Sequence, residues 1–121
     1  MVGRRILNSL KYALRGLVDT YGHENNFRIH VWVSFLVLIF GIFLGVNAKE
    51  WIILILVITM VLILELMNTV VERIIDILKP KIHEYVRIIK DITAAAVLVA
   101  SISAAVIGLI IFYPYIIRLL E

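Results

Sequence analysis

Glu65 is followed at offsets of 3, 7 and 11 residues by Asn68, Glu72 and Asp76. At about 100° per helical residue, all three stay within roughly 60° of Glu65 on the wheel. One stripe of a helix therefore carries three carboxylates and an amide. From Trp51 to Leu64 the chain ahead of this stripe is almost wholly apolar, and an acid at the centre of a membrane span costs about 2.5 to 3.5 kcal/mol by insertion scales. Such a group invites a chemical role. Carboxylates accept protons and bind hard cations through oxygen. The plainer alternative is a buried acid, paired with a basic residue or protonated and hydrogen-bonded, that holds helices together.

Two further clusters carry charge at a span boundary. One contains His23, Glu24, Arg28 and His30, the other Glu84, Tyr85, Arg87, Lys90 and Asp91. Acids supply oxygen ligands for Mg²⁺ and basic residues contact phosphate, so the three clusters together contain the parts for phosphoryl transfer. Each also has an ordinary explanation. Glu24 precedes Arg28 by four residues, the spacing of a helical ion pair, and the basic residues would suit anionic lipid headgroups.

These clusters must be positioned by membrane helices. Hydrophobic residues make up 63% of the 121 and the mean hydropathy is +1.05, above the roughly 45 to 50% apolar content of soluble domains. The expected fold is all-α, a single membrane domain over residues 1–121. Hydropathy predicts spans over 29–46, 50–78 and 84–120, the second with a cytoplasmic extension beyond about Leu64 and the third with a cytoplasmic start. Arg4, Arg5, Lys11, Arg15 and Arg28 precede the first span, and Arg73, Lys79, Lys81, Arg87 and Lys90 separate the second from the third. Only Lys49 and Arg118 lie on the other side. That bias predicts a cytoplasmic N-terminus and an external C-terminus. Asn47 to Glu50 is expected to form the outer turn, and Lys79-Pro80-Lys81 to break the second helix.

Residues 4–22 predict a different kind of helix. Ile6, Leu7, Leu10, Leu14, Leu17, Val18 and Tyr21 recur at three- and four-residue steps, with Arg4, Arg5, Asn8, Lys11, Arg15 and Asp19 opposite. The pattern suits a helix lying in the membrane surface. A signal peptide fits poorly, because charges interrupt the stretch throughout. Depth separates the acids of the second span: at 1.5 Å per residue, Glu65 lies about 22 Å from Glu50 and Glu72 about 33 Å. A lipid hydroxyl sits near the first depth and a soluble metal-nucleotide near the second.

Several chemistries are excluded. With no cysteine, disulfides, thiolate metal sites and cysteine nucleophiles are absent. There is no G-x-x-x-x-G-K-[ST], G-x-G-x-x-G, H-R-D or D-F-G, and no G-x-S-x-G or H-E-x-x-H. Any ATP chemistry needs a different cradle. Ala96, Ala100, Ala104 and Gly108 recur every fourth residue, and Gly41 and Gly45 form a G-x-x-x-G. Such stripes pack helices closely, within a chain or between subunits. Three thin spans enclose little volume, so a neighbouring copy could complete the site.

Read together, Glu24-x-x-Phe27-Arg28, Glu65-x-x-Asn68-Thr69-x-x-Glu72, Asp76, His83-Glu84, Lys90-Asp91 and Ala95-Ala96-Val97-Leu98 resemble the small integral-membrane prokaryotic diacylglycerol kinase family. The resemblance covers essentially the whole chain. Asn26 to His30, Gly108 to Phe112 and Pro114 look more like its Gram-positive undecaprenol kinase branch. The resemblance implies that Glu65 is the general base that takes a proton from a lipid hydroxyl, with Asn68 beside it. It implies Mg²⁺ ligation by Glu24 and Glu72, and contacts to ATP from Arg5, Tyr12, His83, Lys90 and Asp91. Ser9, Phe27, Arg28, His30 and Ala94 match the positions associated with the lipid. It further implies a homotrimer with shared active sites in the bacterial cytoplasmic membrane, and no nucleic-acid partner.

Two residues depart from the Gram-negative pattern: His30 stands in place of an acid and Ala94 in place of a serine. The departures favour undecaprenol, a long prenyl alcohol, over diacylglycerol and leave the kinase chemistry intact. A proton-coupled transporter using Glu65 is the rival from another class. It accounts for one buried acid but not for Glu24, Glu72 and Lys90 at one boundary. A non-catalytic membrane subunit is a third reading, with the small-residue stripes as its main feature.

Overall fold

In the computed structural model of the protein, residues 1–78 and 84–121 are described. Four helices follow in order: α1 (Val2–His23), α2 (Asn25–Leu44), α3 (Ala48–Leu78) and α4 (Glu84–Leu120). The last three are each long and apolar enough to cross a membrane, and the protein is an integral membrane protein. Lys79-Pro80-Lys81 and His83 lie outside the described residues.

A single extended residue separates α1 from α2. Glu24 has φ −109° and ψ 109°; its N–H bonds to the Thr20 carbonyl and its own carbonyl accepts from the Arg28 N–H. The last carbonyls of α1 need donors from outside that helix. Arg28 supplies them, with Nε donating to the Tyr21 carbonyl at 3.1 Å and Nη2 to that of Gly22 at 3.4 Å. Its guanidinium also lies over the Tyr21 ring, and Trp32 Nε1 donates to the Tyr21 hydroxyl at 2.9 Å. Arg28 therefore ties the elbow together, and the helical ion pair that its spacing from Glu24 allowed does not form. An extended Glu24 breaks the helix on which that spacing depended.

The turn between α2 and α3 is tighter than expected. Gly45 closes α2 in the left-handed conformation, φ 69° and ψ 45°, which glycine adopts without a Cβ penalty. Asn47 and Glu50 then cap α3 reciprocally: Glu50 N–H donates to Asn47 Oδ1 at 2.9 Å and Asn47 N–H to Glu50 Oε1 at 3.0 Å. Asn47 to Glu50 is thus the capped start of a helix, and the reversal falls at Gly45 to Asn47. The G-x-x-x-G pair divides accordingly. A Cβ at Gly41 would meet Trp51 Cη2 at 2.7 Å, whereas one at Gly45 would meet nothing within 4 Å. The first glycine admits an indole from its own chain and the second makes a turn.

Helices α3 and α4 form the most extensive pairing, and α2 packs mainly on α3. The principal apolar core lies at the turn end, where Val46, Leu54, Ile111 and Phe112 are buried against Val37, Leu44, Trp51, Ile107 and Tyr115. Tyr115 also donates its hydroxyl hydrogen to Glu50, which locks α4 to the α3 cap. Many apolar residues on the outer faces are exposed, Phe35, Leu56 and Leu109 among them. Helices solvated by lipid gain nothing by hiding such residues. Of the small-residue stripe on α4, Ala100 is buried, Ala104 and Gly108 are half-buried and Ala96 is exposed.

Candidate active site

The carboxylate stripe sits at the opposite end of α3 from that core. Glu65, Asn68 and Thr69 are among the few buried polar residues, at 4%, 9% and 4% exposure. The helical period puts them on one buried side of α3, while Met67 within this stretch and Val70 just after it are exposed. Thr69 Oγ1 donates back to the Glu65 carbonyl at 3.0 Å, so its hydroxyl is satisfied within the helix. Asn68 Nδ2 donates to Glu72 Oε1 at 3.4 Å, and Asn68 Oδ1 is buried with no partner among the described residues. A buried, unpaired amide oxygen is costly, about 1 to 3 kcal/mol, and has room in its hydrogen-bonding capacity for a donor or cation.

Glu65 has a partner that its spacing did not reveal. His30, on α2, places Nε2 at 3.2 Å from Glu65 Oε1. The close partner that a structural acid would have is therefore present, but it engages one oxygen of the carboxylate. Glu72 and Glu24 also act electrostatically on Glu65, so the three acids share one neighbourhood where the α1–α2 elbow meets α3. Glu24 is half-buried, and among the described residues its carboxylate has no hydrogen-bond or ion-pair partner. Phe27 is buried beside it at the start of α2.

The remaining candidates lie apart from this cluster. Arg5, Ser9 and Tyr12 are exposed on α1; Arg15 lies over the Tyr12 ring. On α4, Lys90 is half-buried and Ala94 exposed, while Asp91 pairs with Arg87, which also reaches Glu84. Asp76 is exposed at the far end of the stripe. Among the described residues, no hydrogen bond or ion pair links Arg5, Ser9, Tyr12, Lys90 or Asp91 to Glu24, Glu65 or Glu72, and no group of three acids or histidines converges as a metal site.

A largely apolar crevice of about 460 Å³ opens between α1 and α3, lined by Gly16, Leu17, Thr20, Leu66, Thr69 and Val70. Arg73 and Asp19 stand at its edge, paired through Nη1 and Oδ2 at 2.7 Å. The hydrogen bond from Arg73 holds the Asp19 carboxyl below the usual carboxylate range. Asp19 read from the sequence as one more polar residue on α1. The 54 positions that separate it from Arg73 left no local signal for the pair.

Comparison with known proteins bears on this arrangement. A sequence model described as prokaryotic diacylglycerol kinase matches residues 11–112, most of the chain and all of the carboxylate stripe. The chain belongs to the prokaryotic diacylglycerol kinase family. It is 36% identical over 110 residues to the undecaprenol kinase of Bacillus subtilis, covering 91% of this chain and 89% of that one. It is 33% identical over 120 residues to the diacylglycerol kinase of a Synechocystis strain, covering 98% of this chain and 69% of that one. With the diacylglycerol kinase of Escherichia coli K12 the identity is 29% over 111 residues, 92% of this chain and 91% of the other. Family membership makes the protein a membrane lipid kinase, and it sets aside the transporter and non-catalytic readings.

Proposed function

We propose that the protein transfers the γ-phosphate of Mg-ATP to the hydroxyl of a membrane lipid, with undecaprenol as the preferred acceptor. The observation that carries this reading is the buried Glu65 carboxylate, on the same helix face as the open Asn68 oxygen and Glu72. Glu65 takes the proton of the lipid hydroxyl as its oxygen attacks the γ-phosphorus. Phosphoryl transfer asks a protein mainly for positioning and for neutralisation of phosphate charge, so one base and a few oxygen donors suffice.

The residues present suit a magnesium nucleotide. Glu24 and Glu72 offer hard carboxylate oxygens, and Asn68 Oδ1, without a partner among the described residues, adds a third oxygen. Mg²⁺ binds through one or two carboxylates and completes its shell with water and phosphate oxygens, which two acids on adjoining elements allow. When bound, the ion would neutralise charge on the transferring phosphate. Arg5, Tyr12, His83, Lys90 and Asp91 are proposed to contact the nucleotide, and Ser9, Phe27, His30 and Ala94 to adjoin the lipid, with Arg28 there through the elbow it braces.

The setting follows from the same reading. α1 lies in the cytoplasmic face of the bacterial inner membrane, its apolar side, including Ile6, Leu10 and Leu14, exposed to lipid. The N-terminus is cytoplasmic and the C-terminus external, by the placement of basic residues. Three copies share active sites, which would bring Arg5, Tyr12, Lys90 and Asp91 of one copy to the acids of another. Diacylglycerol is the second acceptor, since relatives of comparable similarity are named for it.

Purified protein in lipid–detergent micelles, given γ-labelled ATP with undecaprenol or diacylglycerol, tests the reading. Labelled undecaprenyl phosphate, formed faster than labelled phosphatidic acid, is expected. Faster phosphatidic acid would reverse the choice of acceptor, and no labelled lipid would overturn the kinase reading.

A further inference from the structure

Glu65 acts through two oxygens, and the protein treats them differently. Oε1 is 3.2 Å from His30 Nε2, across the α2–α3 interface, while Oε2 has no protein partner among the described residues. The pair is shielded, with side-chain exposures of 25% for His30 and 5% for Glu65. Glu72 follows on the same helix face and Glu24 stands at the elbow, both acids, so among the described residues His30 is the one basic side chain within ion-pair distance of Glu65. A carboxylate in that position, left to itself, could rotate about its last bond. A terminal carboxylate torsion is broad and two-fold.

We propose that His30 is a positioning residue for the transfer: its Nε2–H holds Glu65 Oε1 and thereby presents Oε2 to the lipid hydroxyl. The inference rests on the lipid kinase reading and deepens it. The hydroxyl proton passes to Oε2. The alcohol oxygen forms its bond to the γ-phosphorus as the bond from that phosphorus to the β–γ bridging oxygen breaks, and ADP leaves with the electron pair. His30 exchanges no proton in this step. It donates one hydrogen bond throughout and keeps the base in line, which is where catalytic groups lose most when displaced. His30 is fit for this because α2 is anchored at its start. Arg28 and Trp32 tie that helix to the elbow through Tyr21, and they flank His30 in the chain.

The competing arrangement has His30 as the base and Glu65 as its orienting acid. Glutamine separates the two, since its amide N–H can reach Oε1 from nearly the position of Nε2 but cannot serve as a base. Full-length wild type, His30→Ala, His30→Gln and Glu65→Ala are assayed in micelles with labelled ATP and undecaprenol, and kcat is separated from the KM for ATP. His30→Ala should lose about ten- to a hundredfold in kcat with the KM for ATP within about twofold, as misplacement of a catalytic group predicts. His30→Gln should recover most of the loss. A smaller effect of His30→Ala, an effect on KM alone, or His30→Gln no faster than His30→Ala overturns the proposal. His30→Leu, which better keeps the volume, takes the place of His30→Ala if the smaller side chain impairs folding. If wild type labels no lipid, the kinase reading itself falls. If wild type is active, Glu65→Ala inactive and His30→Ala near normal, the role of His30 alone falls.

Discussion

Helix α3 ends in two different worlds. At the turn end, its acid fastens the fold: Glu50 Oε1 accepts from both the Asn47 N–H and the Tyr115 hydroxyl while the Glu50 N–H donates to Asn47 Oδ1, and the adjoining side chains form the apolar core. At the other end, among the described residues, Glu65 has one engaged oxygen, Asn68 a buried oxygen with none, and Glu24 no ion pair. The same chemical group closes a structure at one end and stays available at the other. Polar groups that are satisfied stabilise a fold, and those left unsatisfied mark where it meets a ligand.

Breaking the available end should have the larger effect. Glu65→Gln, nearly isosteric, should lower kcat by about a thousandfold, within the range general-base catalysis contributes. Calorimetry should show Mg-ATP binding unchanged and a melting temperature no lower than wild type. Near-normal turnover would remove Glu65 from the base role and make its burial structural. Next, Glu72→Ala and Glu24→Ala should each raise the Mg²⁺ needed for half-maximal rate by roughly tenfold or more, as losses around metal sites do. Magnesium titrations of the two variants check this, and an unchanged requirement would count against ligation.

Breaking the closed end should cost stability instead of chemistry. Gly41→Ala forces a Cβ against the Trp51 indole at 2.7 Å, and overpacking of this kind costs about 1 to 3 kcal/mol. Thermal unfolding should show the loss, while turnover per folded molecule stays near wild type. A drop in specific activity instead would show that the two ends of α3 are coupled.

The smallest effect belongs to the Asp19–Arg73 pair, which joins α1 to α3 beside the crevice. Bonding to Arg73 lowers the Asp19 pKa from its ordinary 3.8. Its contribution is therefore complete above that value and is lost as pH falls through the lower folded value. Protection factors of α1 amides, taken relative to the intrinsic exchange rate at each pH, should be the same at pH 7 and 5 and fall only in stronger acid, and Asp19→Asn should remove the difference. The exposed geometry keeps the effect modest.

Much of this was legible in the residues, for reasons that can be named. The stripe of Glu65, Asn68 and Glu72 follows from the helical period alone, and burial of Glu65 follows from the apolar run before it. Where prediction and structure part, the helix on which the spacing relied has ended. Glu24 and Arg28 have the spacing of an ion pair, but an extended residue at the elbow hands the arginine to the carbonyls of α1. Gly41 and Gly45 have the spacing of a packing motif, but the chain reverses at the second.

By itself, the sequence determined that this is an all-helical membrane protein with three spans, and which residues share the stripe, because hydropathy and the helical period are properties of consecutive residues. The tertiary structure decided which oxygen of Glu65 is held and by what, that Arg28 braces the elbow instead of pairing with Glu24, and that Asp19 meets Arg73. Those outcomes depend on the rotation and approach of separate helices, a quantity that no spacing within one helix contains.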